Sequence, residues 1–151
     1  MKTTLEVLND LVRINNDRIE GYRRAINETK DLDIDLKAVF NNCINDSEAY
    51  RAQLVSKVKE YGGTPPEDTT LSGKVYRLWM DLKATFTGSD RKTILASCEF
   101  GEDAAQKAYA AALDNDDVKA DAMQLIAEQK QALKKAHDLI KKYRDAHDSV
   151  K

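Results

Sequence analysis

The chain has 151 residues, 33% of them charged and 42% hydrophobic, with only 6 Gly and 2 Pro. That length supports a single domain, 1–151, with a core that needs no disulfide or metal to hold it, and the composition favours an all-α protein over a sheet or a disordered chain. Lys and Arg number 24 against 26 Asp and Glu, a net charge of -2, so no global positive field gathers nucleic acid or anionic lipid and neither is an expected partner.

The amino-terminal stretch MKTTLEVLNDLVRINNDRIEGY breaks its apolar residues with charges every few positions. It reads as neither a signal peptide nor a membrane span, and a cytoplasmic location is the expectation. Within it, Leu5, Leu8, Val12, Ile19, Tyr22 and Ile26 recur at the three- and four-residue steps of one helix face. Thr3 followed by Glu6 has capping-box spacing, which predicts a start near Thr4.

A second stripe runs through Leu36, Phe40, Cys43, Ser47, Leu54, Val58 and Tyr61 and stops at YGGTPPED, predicting helix two over about 34–61. Next comes a connection of about 29 residues, far longer than a bundle hairpin requires. Inside it Val75, Trp79, Leu82 and Phe86 predict a short fifth helix. Helix three opens after Ser89 or Asp90 as N-cap, carries Leu95, Cys98, Glu102, Ala105, Tyr109 and Ala112 on one face, and runs out at DNDD. Helix four extends from Val118 through Ala122, Leu125, Ala132, Leu133, Ala136, Ile140 and Tyr143, with KKYR placing cations near its end. Four long helices with short first and third loops and one long second link predict a bundle in which helices two and three run the same way.

At about 1.5 Å per residue, Glu20, Cys43, Glu99, Glu102 and His137 all fall about 12–17 Å from one end of such a bundle. Carboxylates and an imidazole facing one another at one level are how bundles hold paired iron, manganese or zinc ions. The usual Glu-x-x-His pair is missing, however: EAYR puts Arg51 three residues after Glu48, and KKAH puts Lys134 three before His137. A cation at those positions neutralises Glu102 without metal, making the layer a polar lock on helix register. Both readings stand at this stage, with Glu20, Glu99, Glu102 and His137 as the candidate iron or manganese ligands. Cys43 and Cys98 lack CxxC spacing and read as buried reduced thiols, with a redox pair as the sharper alternative. P-loop, dinucleotide, nucleophile-elbow and zinc-finger patterns do not occur.

LNDLVRINNDRIEGY, RLWMDLK and CEFGEDAAQKAY, followed by His137-Asp138, together resemble a bacterial family of ferritin-like four-helix-bundle proteins of unknown function. The likeness extends, in order, over nearly the whole chain. It implies a ferritin-like bundle with a crossover helix and a stress-associated context, and it carries the wider class's ligand pattern onto Glu20, Glu99 or Glu102, and His137. The pattern departs at Arg51 and Lys134, where a histidine and a glutamate would stand. Two functions follow as expectations: a structural or binding bundle rather than a catalytic one, able to form a homo-oligomer, and a metal-binding carboxylate protein.

Overall fold

The computed structural model describes residues 2–29, 33–67 and 91–149, with side chains through residue 146. Among these residues it contains four α-helices and no strand: α1 (Thr4–Glu28), α2 (Ile34–Glu60), α3 (Arg91–Leu113) and α4 (Ala120–Ser149). The segment carrying Val75, Trp79, Leu82 and Phe86, expected as a fifth helix, lies outside the described residues, as does the side chain of His147. No helix among the described residues is long and apolar enough to cross a membrane.

The helix ends follow local chemistry. At the start of α1 the backbone N–H of Glu6 donates to the Thr3 hydroxyl at 3.2 Å and that of Thr3 donates to the Glu6 carboxylate at 3.1 Å, the reciprocal capping box its spacing predicts. The end of α2 is a left-handed turn. Gly62 has φ +79, its N–H donates to the Lys59 carbonyl, and the Gly63 N–H donates to that of Val58. At the other connection α4 begins at Ala120, two residues later than the periodicity predicts. The Asp117 N–H donates to the Asn115 side chain at 2.9 Å and the Val118 N–H to the Asn115 carbonyl, so a turn holds Val118 in the core before the helix starts.

Side-chain pairs fix the helix directions. Along α1, Asn16, Arg18 and Tyr22 meet Arg51, Ser47 and Phe40 in descending order, so α1 and α2 are antiparallel. Tyr109, Asp103 and Glu99 meet Gln129, His137 and Arg144, so α3 and α4 are antiparallel as well. Thr4, Asn15 and Arg18 meet Asp117, Tyr109 and Glu102, which sets α1 antiparallel to α3 and therefore α2 parallel to α3. Arg91, opening α3, accordingly pairs with Asp35 in the first turn of α2, and its guanidinium lies 5.9 Å from the centre of the Tyr143 ring on α4. The end of α2 and the start of α3 thus lie at opposite ends of the bundle.

Two apolar clusters fill the interior. Leu8, Leu11, Val12, Leu54, Ala122 and Ile126 belong to the first; Ile19, Leu36, Phe40, Leu95, Cys98 and Ile140 belong to the second. The polar core residues considered below lie among them.

Because a Cβ strains the left-handed backbone at Gly62 even though the space around it is open, Gly62→Ala is expected to lower unfolding stability by about 1–2 kcal/mol. Urea denaturation of the variant beside the native chain measures it, and an unchanged midpoint would refute the strained-cap assignment.

Candidate functional site, a buried polar network

Leu11, Asn15, Arg18 and Tyr22 follow one another at steps of four, three and four, so α1 turns all of them toward the bundle axis. Arg18 is 1% exposed and Glu102, brought by α3, is 0% exposed. The guanidinium donates to one carboxylate oxygen, Glu102 Oε1, through Nε at 3.0 Å and Nη2 at 2.5 Å. The Tyr22 hydroxyl donates to the same oxygen at 2.5 Å. Arg18 Nη1 donates to the Ser47 hydroxyl of α2, and the guanidinium carbon sits 5.6 Å from the Tyr22 ring centre. Glu102 Oε2 has no hydrogen-bond partner among the described residues.

The electrostatics favour a charged guanidinium. Burial works against the charge on Arg18, yet the Glu102 carboxylate beside it holds its pKa above the ordinary guanidinium value. Burial first, and then the negative charge of Glu102, lifts the Tyr22 phenol well above its usual range, so Tyr22 remains a neutral donor. Cys43 and Cys98 border this group. Burial pushes the Cys43 thiol up to about 11 and raises Cys98 well above its ordinary value, so both stay protonated near neutrality and lack thiolate reactivity.

A second polar chain recruits α4. The Asn15 amide donates to the Leu11 carbonyl at 2.9 Å and to the Tyr109 hydroxyl at 3.0 Å. That hydroxyl donates to Gln129 Oε1 at 2.7 Å, and Gln129 Nε2 donates to the Tyr50 carbonyl and the Gln53 side chain. The route runs α1, α3, α4, α2, and burial raises the Tyr109 pKa.

The four residues expected to share one layer occupy separate places. Glu102 alone is in the core. Glu20 follows Arg18 by two residues, about 200° around the helix, and its half-exposed carboxylate accepts from Arg23 at 3.0 Å. Glu99 pairs with Arg144 at the α3–α4 edge. His137 Nε2 lies 2.6 Å from Asp103 Oδ1 on the outer side of the same edge, with Asp138 at 3.5 Å from Nδ1. Among the described residues no group of three or more His, Cys, Asp or Glu side chains is arranged to hold a metal ion. Neither expected countercharge reaches Glu102: Arg51 donates to Asn16 at 2.9 Å, and Lys134 pairs with Asp138 at 3.4 Å. Arg18 supplies the cation instead.

Fold and site together define a four-helix bundle whose core carries an ion pair and a hydrogen-bonded chain linking all four helices. The chain belongs to the family described as a domain of unknown function, DUF2383, whose model matches residues 3–115. That span covers α1, α2 and α3 and includes both members of the ion pair. No curated protein matches the chain.

His137 gives the α3–α4 edge a pH dependence. Burial lowers its pKa, but the Asp103 and Asp138 carboxylates outweigh this and hold it above the ordinary imidazole value of about 6.5. A folded pKa raised above the unfolded one contributes stability in full below about 6.5 and loses it as pH rises through the folded value. The side chain is partly solvent-exposed, so the contribution is at most about 1 kcal/mol. In urea midpoints measured from pH 6 to 9, His137→Ala is expected to flatten the slope just above pH 6.5; a native slope in the variant would rule this origin out.

Proposed function

We propose that this protein is a ferritin-like bundle of the cytoplasm that acts as a structural or binding protein, in a stress-associated context, without chemistry in its core. The observation that supports this reading is the Arg18 guanidinium against Glu102, with side chains 2% and 0% exposed. A bundle of the metal-carrying kind gathers carboxylates around divalent ions. Here a covalently attached cation fills that electrostatic role, and a second cation beside it meets repulsion that the surrounding apolar packing does little to screen. The pair fixes the height and rotation of α1 against α3. Enclosure of every atom of Glu102 leaves no approach for a substrate and favours a supporting role over a catalytic one.

Two measurements test the reading. Protein produced in medium supplemented with iron and manganese is expected to contain neither metal stoichiometrically; a stoichiometric ion that disappears in Glu102→Ala would establish the metal-binding alternative. Stability is the second readout. Arg18→Met and Glu102→Leu each strand a buried charge and are each expected to cost about 3–5 kcal/mol, a fall in Tm of about 6–20 °C. The double variant Arg18→Met with Glu102→Leu removes both charges and is expected to be more stable than either single one. Additive losses would show that the two residues do not act as a pair.

A further inference from the structure

The helices fall into two pairs. α1 packs along most of its length on α2, and α3 on α4, whereas the pairs meet mainly through α1 against α3 and only thinly through α2 against α4. Both apolar clusters are shared between the pairs, and directional polar contacts run through and beside them: Arg18 and Tyr22 to Glu102, Asn15 to Tyr109, Gln129 to the Tyr50 carbonyl, and Lys57 with Tyr61 to Asp121. An apolar seam set with specific polar pairs has the make-up of an interface between tightly associated subunits, which resembles a domain core cut in half. The pairs are joined solely through residues 61–90, between the end of α2 and the start of α3. A chain of that length reaches about 100 Å when extended, against the roughly 40 Å length of α2.

From these features we propose that the α3–α4 pair is exchangeable between two copies of this chain, seating on the partner copy's α1–α2 pair through the same Arg18–Glu102 and Asn15–Tyr109 contacts. Exchange makes and breaks no type of contact, because each interface in the closed chain reappears once in each half of the dimer. Closure within one chain competes at an effective concentration on the order of millimolar. The exchanged form therefore gains ground when chains are concentrated, or when each chain is barred from closing on itself. The inference rests on the buried pair acting as the lock between the two halves.

Two charge reversals supply that bar. In Arg18→Glu two carboxylates face each other across the seam, and in Glu102→Arg two guanidiniums do, whether the chain closes alone or with an identical copy. When the two variants combine by exchange, the acid at position 18 of one meets the base at position 102 of the other, and native Arg18 meets native Glu102. Refolded separately, each variant is expected to lose the cooperative helical transition. Refolded together at micromolar concentration, they are expected to give a helical species of twice the monomer mass, with one copy of each by native mass spectrometry. The double variant R18E/E102R in one chain reports whether the reversed pair fits. If it folds and the mixture does not, exchange is overturned. If it does not fold, the native protein decides when refolded from denaturant at millimolar concentration. A dimer that survives dilution supports exchange; monomer alone, or a dimer that separates at once on dilution, overturns it. Single variants that fold as stable monomers would overturn the lock and the exchange built on it, whereas unfolded singles that never complement, beside a double variant that folds, leave the lock standing and remove exchange alone.

Discussion

A guanidinium and a carboxylate removed from water hold together only where direct, well-directed hydrogen bonds replace much of their hydration, and that condition governs this bundle. Glu102 Oε1 accepts from Arg18 and Tyr22, while Arg18 reaches on to Ser47, so one oxygen on α3 fixes two turns of α1 and, through them, one position on α2. Apolar side chains tolerate sliding and repacking to within about 1.5 kcal/mol when volume is kept; buried polar partners do not. The fourth helix is brought into register by the Asn15, Tyr109 and Gln129 chain. Asn15 and Arg18 lie three residues apart on the same face of α1, so both networks are set by one stretch of one helix.

The groups able to carry chemistry are mostly spent on joining helices. Lys57 of α2 and Tyr61, which caps it, both donate to Asp121 in the first turn of α4, and His137 and Arg144 of α4 reach Asp103 and Glu99 of α3. Asp121 shows the consequence: the Tyr61 hydroxyl and the Lys57 ammonium hold its carboxyl down to about 2. The buried thiols and phenols shift the other way, because burial disfavours their charged forms. Beside the Arg18–Glu102 pair, Tyr22, Cys43 and Cys98 are therefore neutral at physiological pH.

Helix boundaries were legible in the sequence because caps and periodicity are local. The Thr3–Glu6 box, the Gly62 terminator and the stripe of α3 all act within a turn or two of the chain, and the structure places α1, α2 and α3 where those signals put them. Depth along the axis was legible too, since rise per residue is constant. Rotation about the axis was not. Glu20 has the right height and the wrong side of α1, while Arg18, two residues earlier, has both. The signal was present in the four-three-four spacing of Leu11, Asn15, Arg18 and Tyr22, but an arginine at an inward position reads as surface until its partner is known. Gln129 escaped notice for the same reason: it sits three residues after Ile126 and four before Leu133, in an apolar row whose polar member is explained only by Tyr109 on another helix.

Using arginine rather than a metal as the countercharge changes what the fold depends on. A bound ion is lost by dilution, chelation or protonation of its ligands, so a core built on one varies with supply and pH. The guanidinium cannot dissociate from its helix, stays charged throughout the physiological range, and donates in a fixed plane. That plane selects direction as well as charge: Nε and Nη2 face Glu102 while Nη1 faces Ser47, so α3 and α2 are held on different edges of one rigid group. A spherical ion imposes far less orientation on its neighbours. With Arg18 the relative placement of three helices is encoded in the chain itself, and the two helix pairs meet through contacts whose direction their own residues set.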